Sequence, residues 1–236
     1  MKILLFALLL LVSTFAQSSC VILLHGLART DASMSKMEHA LTEHGYAVVN
    51  KDYPSRDFKI EQLAEKAIGS ALERCGNNRD ISFVTHSLGG ILVRQYLSKH
   101  YIPKLRHVVM LGPPNKGTEV VDMLAGFPGF HFILGDAALQ LSTGDHSVPN
   151  SLGPAKFDLG IIAGTKSFNP ILSAMIPGND DGTVSIKSTR LEGMNDHIEM
   201  NTSHFFMMRN EEVIKQVIYY LSNGKFNKSK SRMLSS

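Results

Sequence analysis

The amino-acid sequence predicts an α/β fold, built on a mainly parallel six-stranded sheet with helices on both faces. Short apolar runs, typical of buried strands, alternate along the chain with longer segments of helical periodicity. The runs are apolar at nearly every position, which is typical of parallel strands covered by helices on both faces. The length of 236 residues, with 44% hydrophobic and 19% charged residues, fits one globular domain.

The predicted strands and helices follow one another in regular order. Apolar runs predict strands at 21–25, 46–51, 81–85, 106–111, 157–164 and 197–201. Apolar residues at helical spacing predict helices at 33–44, 59–74, 88–100 and 211–221. Ligands of such sheets bind at the C-terminal ends of the strands, so the residues that follow the strands are the candidates for a functional site.

The two ends of the chain differ from the domain at 17–224. A positive start at Met1 and Lys2, an apolar run at 3–12 and small residues before a cleavage point after Ala16 predict a signal peptide at 1–16. The run is too short to span a bilayer comfortably, although an uncleaved N-terminal anchor is the alternative. The tail at 225–236 is basic and polar, and we expect it to be disordered. These features predict a secreted or periplasmic protein.

Two cysteines, Cys20 and Cys75, form an even count in a chain expected to be exported, which predicts a disulfide. Cys20 opens the first strand, and Cys75 precedes the strand at 81–85. The two residues would meet at the N-terminal ends of these strands if the strands are neighbours. Two buried free thiols are the alternative interpretation.

The segment 83–90 is the strongest functional signal. An apolar strand ends in a turn around Ser87, and a helical pattern begins at Leu88, which predicts a nucleophile elbow. The alternative is that Ser87 serves only as a helix N-cap. Thr85 stands where the motif G-x-S-x-G has its first glycine, whereas Gly89 retains the second.

A serine nucleophile needs a base and an acid. His204 follows the last predicted strand and precedes the last helix, so it is expected at the same end of the sheet as Ser87. His197 is the rival, but it begins that strand and should lie at the opposite end. Asp181, before Gly182, is the predicted acid, and Asp180 is its alternative. The order Ser, Asp, His is that of a known hydrolase triad.

An oxyanion formed during attack would need two hydrogen-bond donors. The backbone N–H of Leu88, directly after the serine, is one candidate. The second is the N–H of Leu27 in the loop after the first strand, where Gly26 permits a sharp turn.

The stretch 113–155 breaks the alternation, with many Gly and Pro and apolar residues such as Phe127 and Phe130. Two interpretations stay open. The stretch is either a short cap beside the active site or a loose surface loop that contains one helix at 119–124.

Four motifs together resemble the lipase and esterase branch of the α/β-hydrolases: V-I-L-L-H-G-L, T-H-S-L-G-G, L-G-P-P-N-K-G-T and N-D-D-G-T-V, over about 20–221. The resemblance implies a minimal α/β-hydrolase fold, because no extra strands precede the first one. It also implies that Ser87 is acylated, that Asp181 supports His204, that Leu27 and Leu88 bind the oxyanion, and that 112–117 lines the rim of the site.

The predicted function is a serine hydrolase that cleaves carboxylic esters through an acyl-enzyme. An acyltransferase or phospholipase that acts on membrane lipids with the same triad is the alternative, and a hydrolase-like binding protein without catalysis is the third interpretation. The sequence has no H-x-x-x-H pair and no cysteine cluster, so no metal or cofactor is expected. A net charge of +3 is too small to indicate nucleic acid. The expected partners are a small-molecule or lipid ester and, transiently, a membrane surface.

Overall fold

A computed structural model describes residues 19–168 and 170–229. The predicted signal peptide at 1–16 and the part of the tail at 230–236 lie outside the described residues. The strands are β1 (Cys20–Leu24), β2 (Ala47–Lys51), β3 (Ile81–His86), β4 (Leu105–Leu111), β5 (Leu159–Gly164) and β6 (Asp196–Met200). They form one sheet in the order β2-β1-β3-β4-β5-β6, and all five neighbouring pairs are parallel. The predicted six-stranded parallel sheet is confirmed.

The order of the strands determines where a site can form. The chain passes from β1 to β2 on one side and then returns to β3 on the other side of β1. In open α/β sheets, such a reversal opens a crevice at the C-terminal ends of the two central strands. Here His25 directly follows β1, and Ser87 directly follows β3.

Within residues 19–168 and 170–229, ten α-helices surround the sheet. The four long ones are α1 (Ser35–Glu43), α2 (Ile60–Cys75), α3 (Leu88–Leu97) and α10 (Glu211–Asn223), and each lies within two or three residues of a predicted helix. The short ones are α4 (Glu119–Leu124), α5 (Phe130–Leu134), α6 (Asp136–Leu139), α7 (Val148–Ser151), α8 (Pro170–Met175) and α9 (Ile186–Thr189). Short 3-10 turns precede α1 and α10. Among the described residues, no helix is long and apolar enough to cross a membrane.

Two hydrophobic cores cover the two faces of the sheet, because successive side chains of each strand point to opposite faces. One core packs α2 and α3 against the sheet, with Ile22, Leu24, Phe83, Ile91 and Met110 among its members. The other packs α1 and α10 against the opposite face, with Val21, Leu23, Val84, Met37 and Val217 among its members. Burial on both faces explains why the strands are continuously apolar.

The disulfide joins Cys20, the first residue of β1, to Cys75, the last residue of α2, with their Cα atoms 5.8 Å apart. The predicted pairing is therefore present, at the N-terminal end of the sheet and away from Ser87. The bond closes a loop with a sequence separation of 55 residues. A loop of this size corresponds to about 4 kcal/mol of stabilisation through the unfolded chain.

Residues 225–229 pack on the domain, contrary to the prediction. Phe226 is only 4% exposed, and its ring packs 4.7 Å from that of Tyr220. The Phe226 N–H donates to the carboxylate of Asp196, and Gln216 exchanges hydrogen bonds with the backbone of Asn227. The prediction of disorder from residue 225 is wrong for 225–229, because a buried aromatic side chain holds this segment on the domain.

A buried arginine attaches the stretch 113–155 to the domain. The Arg94 side chain, on α3, donates to the backbone oxygen and the side-chain oxygen of Asn115 and to the carbonyls of Pro149 and Gly153. Burial lowers the pKa of Arg94 to about 10, so it remains charged at neutral pH. The stretch forms four short helices, and the helix at 119–124 has its expected bounds.

Candidate active site

Ser87 lies in a strained turn between β3 and α3. Its φ of 52° and ψ of −119° place a residue with a side chain in a region that normally favours glycine. Its N–H donates to the carbonyl of Leu111 at 2.9 Å, and its side chain makes no capping hydrogen bond to α3. Backbone strain of this kind is typical of a nucleophile elbow and costs about 1–3 kcal/mol. The geometry does not match an ordinary N-cap.

Thr85, which stands where the elbow motif has its first glycine, lies within β3. Thr85 is fully buried, and its hydroxyl has no hydrogen-bond partner among the described residues. The close approach of strand and helix falls instead at Gly89. A Cβ atom there would lie 2.7 Å from the carbonyl oxygen of Leu24 and 2.9 Å from that of His25. The glycine that the packing requires is therefore the second one of the motif.

The structure brings His204 to Ser87. The Nε2 atom of His204 lies 3.0 Å from the Ser87 Oγ, and its Nδ1 lies 2.8 Å from the Asp181 Oδ2. All three side chains are less than 9% exposed. When Nδ1–H donates to the Asp181 carboxylate, Nε2 presents a lone pair to the Ser87 hydroxyl. These contacts form one continuous hydrogen-bonded chain across residues more than ninety positions apart in sequence.

Asp181 and Asp180 point to different partners. The Oδ1 atom of Asp181 accepts from the backbone N–H groups of Thr183 and Val184, at 3.0 and 2.8 Å, which leaves Oδ2 for His204. Asp180 accepts from the Gly182 N–H at 2.7 Å and from the Ser173 hydroxyl at 2.6 Å. The structure therefore brings Asp181, and not Asp180, to the imidazole.

His197 lies apart from this cluster, at the start of β6. Its Nε2 is 3.0 Å from the hydroxyl of Thr189. Burial, aided by the positive charge of Arg190, lowers the pKa of His197 to about 4. His197 is therefore neutral at pH 7 and does not contact Ser87.

Gly112 allows the backbone after β4 to lie directly against the cluster. Its φ is 54°, and a Cβ atom there would lie 2.9 Å from the Asp181 Oδ2 and 3.1 Å from the His204 Nδ1. Of the other residues in the predicted rim segment 112–117, only Pro114 lines the cavity above Ser87. Asn115 is instead buried and bonded to Arg94 and to the carbonyl of Thr189. This part of the motif therefore joins α3 to α9.

His86 is a member of the site that the sequence did not identify. Its Nε2–H donates to the backbone carbonyl of His204 at 2.9 Å, and the two rings lie 4.7 Å apart. Burial, followed by the neighbouring His204, lowers the pKa of His86 well below its usual value, so the ring is neutral. The only sequence signal was its place before Ser87, because its partner lies 118 residues away.

The two candidate oxyanion donors lie beside Ser87. Leu88 is the first residue of α3, so its N–H has no acceptor within the helix. The N–H of Leu27 makes no hydrogen bond to another described residue. Its loop passes close to the serine, since a Cβ atom on Gly26 would lie 3.2 Å from the Ser87 Cβ. The next residue, Ala28, has a φ of 53° and donates its N–H to the Ser55 hydroxyl.

A cavity of about 320 Å³ opens above Ser87 and His204. Its walls are mostly apolar, and eight of its eighteen lining residues come from the stretch 113–155. The side chains that form these walls are Leu27, Val120, Val121, Leu124, Phe130, Leu134, Leu141, Leu172 and Val184. An apolar chain of a molecule bound at Ser87 can therefore be buried in this cavity, away from solvent.

The fold is similar to that of several solved structures. The mature form of the Bacillus licheniformis lipase BlEst2 superposes with a TM-score of 0.69 and 20% identity over 86% of this chain and 92% of that protein. The metagenomic carboxyl esterase MGS0156 gives 0.60 and 19%, over 80% of this chain and 65% of that one. The phospholipase PlaB from Legionella pneumophila gives 0.57 and 18%, over 73% and 46%. No protein-family model and no curated protein sequence matches this chain.

These likenesses establish the fold. The chain has an α/β-hydrolase fold of the lipase and esterase type, in its minimal six-stranded form. The resemblance read from the four sequence motifs is thereby confirmed at the level of the fold.

Proposed function

We propose that this protein is a serine hydrolase of carboxylic esters in which Ser87 is the nucleophile, His204 the base and Asp181 its supporting acid. The observation that carries the proposal is the hydrogen-bonded chain from the Ser87 Oγ through both ring nitrogens of His204 to the Asp181 carboxylate. Each member has the partner that its role requires.

In the proposed reaction, the Ser87 oxygen bonds to the ester carbonyl carbon while its proton moves to the His204 Nε2. The carbonyl oxygen becomes an oxyanion, and the N–H groups of Leu27 and Leu88 donate to it. Each such donor contributes about 3 kcal/mol to stabilising the transition state. Asp181 stays ionised and stabilises the imidazolium.

Collapse of the intermediate breaks the bond to the leaving alcohol, which takes the proton from His204 Nε2. The product of this half-reaction is an acyl ester of Ser87. Water then enters, gives a proton to the same nitrogen and attacks the acyl carbon. The acid leaves, and the Ser87 hydroxyl regains its proton.

The cavity supports hydrophobic esters as substrates. Its apolar walls would bury an acyl chain, and each buried methylene contributes about 0.8 kcal/mol. The disulfide between Cys20 and Cys75 supports a secreted or periplasmic location, since such bonds persist in oxidising compartments.

An acyltransferase or phospholipase is the second candidate function. The similarity of the fold to that of the phospholipase PlaB supports this candidate. An alcohol can attack the same acyl-enzyme in place of water. Hydrolysis and transfer are separated by analysing the products formed when an alcohol acceptor is added to the assay.

The test compares the wild type with Ser87→Ala on p-nitrophenyl esters of increasing chain length, with and without a lipid interface. We expect Ser87→Ala to abolish turnover and labelling by a fluorophosphonate, while Ser70→Ala, a serine on α2, retains both. Turnover or labelling that survives in a folded Ser87→Ala protein contradicts the assignment. A wild-type protein that neither turns over esters nor labels would indicate a binding protein without catalysis.

A further inference from the structure

A second cavity of about 360 Å³ adjoins the first one. Its walls include Arg29, Phe168, Phe205, Phe206 and Arg209. Arg29 and Phe205 also line the cavity that contains Ser87. The two cavities therefore share a wall at the active site. Both have mostly apolar walls, but the second one adds the guanidinium group of Arg209 to that of Arg29.

The arginines of this second cavity lack counter-charges. In the described part of the chain, neither Arg29 nor Arg209 forms an ion pair. Burial lowers the pKa of Arg29, and the positive charge of Arg209 lowers it further. The nearest acidic residue in sequence, Asp31, bonds to the N–H of Ala32.

An aromatic ring faces Arg29 without neutralising its charge. The Arg29 Cζ lies 4.9 Å from the centre of the Phe205 ring. The ring of Phe168, another residue of the cavity wall, lies 4.6 Å from the Lys166 Nζ. A ring face stabilises a cation but leaves its N–H donors available to an anion.

The second cavity adjoins the active site through Phe205, which lies next to His204 in the chain. His204 must protonate the leaving oxygen, so the leaving group has to pass beside its ring. The Phe205 ring packs edge-on at 6.1 Å from His204, and Arg29 covers Phe205. An acyl chain in the apolar cavity would therefore leave the alcohol portion of the ester facing Arg29.

We infer that Arg29 and Arg209 form a subsite for a phosphate group on the leaving alcohol, so that the substrate is an acyl ester of a phosphate-bearing alcohol. The inference rests on the proposed function. One guanidinium group can donate two parallel hydrogen bonds to two oxygens of a phosphate. A phosphate monoester carries close to two negative charges at neutral pH. Two unpaired arginines match that charge better than they match a single carboxylate.

The test uses two esters with the same octanoyl chain, 1-octanoylglycerol and 1-octanoylglycerol 3-phosphate, as monomers in solution. The measured quantity is kcat/KM for the phosphate ester divided by kcat/KM for the neutral ester. We expect Arg29→Gln and Arg209→Gln each to lower this ratio by about tenfold or more. Arg106→Gln, which changes an exposed arginine at the start of β4, should leave the ratio unchanged.

If neither Arg29→Gln nor Arg209→Gln changes this ratio, the proposed subsite is wrong. The proposed function still stands in that case, provided that the wild type cleaves the neutral ester. If the wild type cleaves neither ester, calorimetric binding of the phosphate ester to the Ser87→Ala protein decides the subsite alone. Binding that Arg29→Gln weakens about tenfold supports it, and equal binding overturns it.

The source of the phosphate is decided by two further measurements on the wild type. Inhibition by glycerol 3-phosphate that Arg29→Gln abolishes supports the subsite and indicates a soluble ester. A preference for the phosphate ester that is larger in phosphatidylcholine vesicles than with the monomeric esters, and that Arg29→Gln abolishes in both, supports the subsite and indicates a membrane lipid.

Discussion

Replacing Asp181 by asparagine tests whether the Asp181 carboxylate supports His204 in the proposed triad. The Oδ1 position accepts two backbone N–H groups, from Thr183 and Val184. An introduced amide must keep its carbonyl oxygen there, because its NH₂ group would otherwise face two donors. The NH₂ group then takes the place of Oδ2, 2.8 Å from the His204 Nδ1, and donates to it. His204 is forced to carry its proton on Nε2, where it needs a lone pair for the proton of Ser87.

The expected loss is large because the substitution changes the tautomer rather than the shape of the site. Asp181→Asn should lower kcat by about 10⁴-fold, the size of effect seen when a triad histidine is held in the wrong tautomer. This corresponds to about 5.5 kcal/mol of transition-state stabilisation. The remaining rate would come from substrate binding and the two oxyanion donors.

Asp180→Asn is the matched control, since it removes the same charge one residue away. The Asp180 oxygens bond to Gly182 and Ser173 and do not contact His204. We expect its kcat to stay within about tenfold of the wild type. Both variants would be assayed on p-nitrophenyl butyrate, with circular dichroism and urea unfolding to verify the fold. The reasoning fails if Asp181→Asn stays within tenfold of the wild type, or if the two variants lose equal activity.

Three further predictions concern stability. Replacing both Cys20 and Cys75 by serine should lower the free energy of unfolding in urea by about 4 kcal/mol, and wild-type protein kept in reductant should match the variant. The unfolded state takes up a proton at His197 below about pH 6.5, whereas the folded state resists until about pH 4, so stability falls as the pH falls through this range. Between pH 7 and pH 4.5, the free energy of unfolding of His197→Gln should therefore fall by about 2 kcal/mol less than that of the wild type. An equal fall in the two proteins would show that His197 does not cause this pH dependence. Arg94→Met should cost about 3 kcal/mol or more and speed proteolysis within 113–155, because buried carbonyls lose their donor, and unchanged cleavage would show that Arg94 does not hold this segment.

The sheet could be predicted because its signal is local. Each strand is a continuous apolar run, and the long helices repeat an apolar stripe over several turns. The five helices of six residues or fewer that were missed, α5 to α9, are too short to display a period. The buried Phe226 was missed for a related reason. An average over a basic and polar tail does not reveal one aromatic side chain that packs on the domain.

The site was predictable to the extent that topology determines it. Residues that follow parallel strands meet at one end of the sheet, so Ser87 and His204 could be paired from their positions alone. The choice between Asp180 and Asp181 could not be made in this way, because both precede the same turn. The choice depends on which carboxylate accepts hydrogen bonds from the N–H groups of Thr183 and Val184, and that is a property of the folded turn. The position of Arg29 above Phe205 depends likewise on contacts between distant loops.

The contacts of His204 explain how a loop residue can be held as rigidly as a residue of the sheet. Its N–H donates to the carbonyl of Asp181, its own carbonyl accepts from His86, and its Nδ1 bonds to the Asp181 carboxylate. The imidazole is thus positioned by Asp181 and by His86, the residue before Ser87. Only Nε2 is left to exchange a proton, and it faces the Ser87 hydroxyl. In the proposed mechanism, the base therefore needs little motion to reach the reactive geometry, and the entropy of orienting it is lost during folding rather than at each turnover.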